Sequence, residues 1–208
     1  MFAPARKAWS PETVSELYRR YNEQPDTGTD NFLVKLHRQM EEASDDAILL
    51  SAELLTLHAL PLSNLTEPKK RARIQEVLGW MREPVSLPAE VDAAFAQRTW
   101  SGGSGAHTMI WKWLSDAVSF MRAWWSIPEP ERLRALADPW AWRDLVHRIP
   151  GMPSLRESLL YLAFPGYFLP IINLAHKAAI REAFRYRLQQ SPGDLDRDLY
   201  LIMLSLQH

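Results

Sequence analysis

Two basic stretches hold the residues best suited to bind a phosphate. Lys177, Arg181 and Arg185 recur every four residues, with Arg187 close behind. On a helix that spacing makes one ridge, a shape that can follow a nucleic-acid backbone. Lys69, Lys70, Arg71 and Arg73 open a second helix with the same capacity. The formal net charge is −1, so the chain has no global attraction for DNA, and any phosphate contact has to come from such local patches. The plainer reading of both stretches is a solvated helix face.

Other combinations lack a partner residue. The loop "SGGSGAHT" has the glycines of an anion-binding turn ahead of a helix, but Ala106 and His107 stand where a phosphate loop needs Lys and Ser or Thr. "DLDRD" begins like a calcium loop, yet Leu199 and Ser205 occupy the positions of its Gly and Glu. Asp194 therefore reads as a helix cap. None of the six histidines shows metal-ligand spacing, and no serine sits in a nucleophile elbow. Without cysteine there is no thiol nucleophile and no disulfide, which suits a reducing cytoplasm. The expectation is a protein with no catalytic residue, no metal and no cofactor.

Four of the nine tryptophans fall in "WKWLSDAVSFMRAWWSIP". At 100° per residue, Ile110, Trp111, Trp113, Leu114, Ala117, Val118, Phe120, Met121, Trp124 and Trp125 share one half of a helix, opposite Lys112, Ser115, Asp116, Ser119 and Arg122. A ligand cage draws its rings from several elements, so this helix reads as scaffold.

The rest of the chain also has helical periodicity. Helices are predicted after Ser10-Pro11, Asp30, Ser44, Thr66, Pro88, Pro130, Asp138-Pro139, Ser154, Asn173 and Asp194, many of them residues that cap or open helices. The expected fold is all-α, an orthogonal multi-helix bundle of about ten helices with a central Trp-rich helix near 107–126. One module over 1–208 is expected, with a candidate internal boundary in the Pro-, Gly- and Ser-rich stretch 83–106. No apolar run is long enough to span a bilayer and no secretory leader is visible, which points to the cytoplasm.

At "ESLLYLAFPGYFLPIINLAHKAAIREAF" the sequence resembles the N-terminal helical region of McrB-like AAA+ proteins, the motor subunits of modification-dependent restriction systems. Leu159, Leu162, Phe164, Pro165, Phe168, Pro170, Ile171, His176, Lys177, Ile180 and Phe184 fill the pattern. Asn173 replaces its usual Ser and can still cap a helix. Earlier segments fit as well, so the resemblance runs from about Ala47 to Leu206.

It implies a non-catalytic specificity module of an anti-phage defence motor. The AAA+ domain, with its Walker motif, acidic strand and arginine finger, is absent from this chain, so no GTP or ATP hydrolysis is expected of it. The implied partners are DNA, as a plain or modified duplex, the AAA+ motor of the parent protein and a partner nuclease. The alternative is a module that senses or recruits a protein. The Lys177 to Arg187 ridge and the Lys69 to Arg73 cluster are the candidate DNA contacts. Tyr167, Phe168, His176 and His107 are the candidate recognition loop.

Overall fold

Side-chain caps set half of the α-helix starts among the described residues, while Thr66 precedes its helix without a cap hydrogen bond. The computed structural model describes residues 2–103, 105–191 and 193–207, with only the backbone of Ala106 and His107. Among these residues, all regular structure is helical apart from one isolated bridge between Leu62 and Trp100. The chain divides into two compact units, residues 1–127 and 128–208.

In the first unit, α1 (Pro11–Tyr21) is capped by Ser10, which accepts from the Thr13 N–H. α2 (Phe32–Met40) is capped by Asn31, one residue beyond the Asp30 that the sequence suggests. α3 (Asp45–Ala59) is capped by Ser44, with Asp45 and Asp46 at the positive end of its dipole. α4 (Glu67–Leu78) and the short α5 (Ala89–Ala94) and α6 (Gly105–Thr108) precede α7 (Ile110–Ser126).

α3 is buried nearly all round, and α1, α4 and α7 pack on it. The Trp-rich α7 turns only one face inward, so α3 is the central helix. Its sequence has no polar stripe, the mark of a helix covered on every side, and Ala47, Ser51 and Ala52 let its neighbours come close.

The stretch 83–106 lies inside the first unit, and the division between units falls after Ile127 instead. Proline and glycine there end helices without ending contact. Phe95 is fully buried, the Trp100 N–H donates to Pro61 O at 3.1 Å, and Trp100 O accepts from the Ser63 N–H at 2.8 Å.

The second unit holds α8 (Glu129–Ala137), α9 (Pro139–Arg148), α10 (Pro153–Ala163), α11 (Leu174–Ala183), a single 3-10 turn (Arg185–Arg187) and α12 (Leu195–Leu206). α9 packs on α8 and α10, and α11 packs on α12. Asp138, Asn173 and Asp194 cap α9, α11 and α12 with side-chain oxygens. No helix of the described residues is long and apolar enough to cross a membrane.

Candidate nucleic-acid interface

The expected ridge starts one turn into α11, and its spacing explains why it does not form. Residues four apart advance about 40° around a helix, so a stripe of three winds from one face towards the next. Lys177 is on the inner face, only 1 % exposed, and its Nζ donates to Glu157 and, at 2.8 Å, to Asp196 Oδ1. Arg181 is half-buried and donates to Asp198 at 2.6 Å. Arg185 lies beyond the end of α11, in the 3-10 turn, and points to solvent. Lys177 is therefore corrected from phosphate contact to buried structural cation, and Arg181 is already neutralised.

Their counter-charges come from "DLDRD". Asp194 takes Arg143, Asp196 takes Lys177 together with Arg143 at 3.4 Å, and Asp198 takes Arg181 and the Ser191 hydroxyl. Each acid of the apparent calcium loop thus neutralises a cation from another element, while Asp194 also caps α12. Burial raises the Glu157 carboxyl above its ordinary range, against the pull of Lys177. Burial, reinforced by Arg143, lowers His147, whose Nε2 lies 3.9 Å from Glu157. Lys177, Glu157 and Asp196 are sealed from solvent and mutually paired, so this is an ionic core. No group of three potential metal ligands comes together among the described residues.

The cluster on α4 is similarly divided. Lys70 is fully buried and donates to Leu60 O at 2.9 Å and Phe95 O at 3.4 Å, closing off carbonyls at the C-terminal ends of two helices. It too is corrected from DNA contact to internal brace, and burial lowers its pKa. Arg71 pairs with Asp92 at 2.5 Å. Arg73 is half-buried, with Nη1 shut away from solvent and from any described partner. Lys69 alone of the four is exposed.

The recognition loop splits in the same way. Phe168 is buried, its ring 5.6 Å from Trp140, and so belongs to the core. Tyr167 is at the surface, stacked 5.0 Å from Tyr200, with Trp140 5.7 Å from Tyr200 and the Arg197 guanidinium 4.4 Å over Trp140. His176 is exposed in the first turn of α11. The side chain of His107 lies outside the described residues.

Sequence reasoning passed over Tyr186. It is 73 % exposed between Arg185 and Arg187, its ring stacks 6.3 Å from Phe184, and Arg187 lies 5.4 Å over it. The signal was the "RYR" triplet, where an aromatic alternates with cations. Set against family models, curated proteins and solved structures, the chain finds no match.

Proposed function

We propose that the chain is a non-catalytic helical recognition module of a McrB-like restriction motor, and that it contacts DNA through Arg185, Tyr186 and Arg187. One observation carries the contact: the most exposed of the large apolar side chains is flanked by two solvent-facing arginines at the end of α11. An exposed ring can stack on a base or lie against a sugar, while guanidinium groups take phosphate oxygens. The family assignment is supported by the Phe-Pro to His-Lys pattern between Leu159 and Phe184. The motor would be supplied by the parent protein, and cleavage by a partner nuclease.

A mobility shift with plain and modified duplexes tests this reading. Tyr186→Ala, and separately Arg185→Glu with Arg187→Glu, should each weaken binding by about tenfold or more, the scale of one lost stacking or charged contact. Unchanged affinity in both variants refutes the assignment.

A second reading, recruitment of a protein, is favoured by the surface of Trp140, Tyr167, Tyr200 and Arg197. Those residue types dominate interface anchors. If that surface is the functional one, Tyr167→Ala with Tyr200→Ala abolishes co-sedimentation with the motor domain and leaves DNA binding intact.

A further inference from the structure

The first unit carries a cleft of about 360 Å³ between α1, α2 and α7, a volume typical of small-molecule sites. Trp111 lines it. α7 buries Trp113, Leu114, Ala117 and Val118, but leaves Trp111 52 % exposed. Neither its ring nor its indole N–H has a partner among the described residues. The backbone behind it is fixed, since the Tyr21 hydroxyl donates to Trp111 O at 3.0 Å. Phe32 and Ile110 complete the apolar wall. The scaffold reading of the Trp helix holds for Trp113, whereas Trp111 faces an open hollow.

Two side-chain amides line the same cleft, and neither can be turned round. Gln39 Nε2 donates to Gln24 O at 2.8 Å and Arg20 O at 3.2 Å. Asn22 Nδ2 donates to Ser115 O at 2.9 Å. Carbonyls only accept, so each nitrogen is held in place and each oxygen is left over. Asn22 Oδ1 is buried without a donor, and Gln39 Oε1 has none among the described residues. Asn22 Oδ1 is shut off from a ligand in the cleft, so Gln39 Oε1 is the acceptor left for one that brings an N–H group.

The charges at the cleft offset one another, so they single out neither anions nor cations. Asp26 and Asp30 face it with one Lys35, whose Nζ already donates to Gly28 O at 2.9 Å. Both acids hold Arg38, at 2.8 and 2.6 Å.

We propose that this cleft binds a small, uncharged, planar heteroaromatic molecule that stacks on Trp111 and donates an N–H to the side-chain oxygen of Gln39. The site is built from the first unit alone and does not depend on the DNA reading. It is tested on the full chain by ligand-observed NMR, with 9-methyladenine and 1-methylcytosine as probes. At least one should bind saturably. Trp111→Ala should weaken that binding by about tenfold or more, as loss of a stacking surface does, with the melting temperature near wild type because the ring is half in solvent. For adenine, 9-methylpurine, which lacks the amino donor, should bind more weakly, and adenosine monophosphate, which adds an anion, should bind no more tightly than the free base. Absence of saturable binding by either free base, or equal binding by the Trp111 variant, overturns the proposal. Binding seen only with a single-stranded oligonucleotide also overturns it and moves the site to a nucleic-acid strand.

Discussion

Lys177 bridges two buried carboxylates, and removing it leaves Glu157 without its cation while Asp196 keeps only Arg143 at 3.4 Å. Breaking one side of a buried ion pair costs far more than the pair is worth relative to apolar residues, because the surviving charge has no water. Lys177→Met is therefore expected to lower unfolding free energy by about 3 kcal/mol, read by urea denaturation. A loss below about 1 kcal/mol would mean that Glu157 and Asp196 relax towards solvent in the variant.

The neighbouring His147 gives this core a pH dependence. Burial holds its folded pKa below the ordinary 6.5. Below that pH the unfolded chain binds the proton that the folded one refuses, so stability is full above 6.5 and falls as the solution is acidified. Glu157 has the opposite sign. Its folded pKa is raised above 4.5, so its contribution is full below that value and is lost as pH rises through the folded pKa. His147→Gln should flatten the decline in melting temperature below the histidine range. A variant whose profile parallels wild type would show that His147 is protonated in the fold as readily as outside it.

Helix starts are the most legible part of the chain, because a cap and the N–H groups that donate to it lie within three residues of each other. Ser10, Ser44, Asp138, Asn173 and Asp194 all act as local chemistry suggests. Asp138 is a clean test: its Oδ1 accepts from Trp140 N at 2.7 Å and Ala141 N at 3.1 Å. Asp138→Ala should cost about 1 kcal/mol, seen as a lower urea midpoint with unchanged slope. The ion pairs were not legible. Glu157 stands 20 residues from Lys177, and Asp194 stands 51 from Arg143. A four-residue spacing says that cations share a stripe, but not which end of the stripe turns inward. For the same reason the wheel groups Trp111 with Trp113, although only one of the two indoles is covered. The stretch 83–106 shows that proline and glycine mark where helices stop, while Phe95 and Trp100 keep that stretch within the first unit.

At the scale of the whole molecule, charge is nearly balanced and much of it is spent internally. The chain has 24 basic and 25 acidic side chains, and the pairs around Lys177, Arg181, Arg143 and Arg71 remove cations from any outward field. DNA binding through Arg185 and Arg187 would thus displace few counterions. Two phosphate contacts give a log–log salt slope of about −2, so affinity should fall by roughly tenfold as salt rises from about 50 to about 200 mM. A protein with a continuous basic ridge would lose far more over that range. Mobility shifts across a salt series separate the cases. A shallow slope that Arg185→Glu with Arg187→Glu reduces further fits contact at the tip of α11. A slope several times steeper would mean that other exposed cations, such as Lys69 or Arg134, also meet phosphate, and contact would not be confined to the tip of α11.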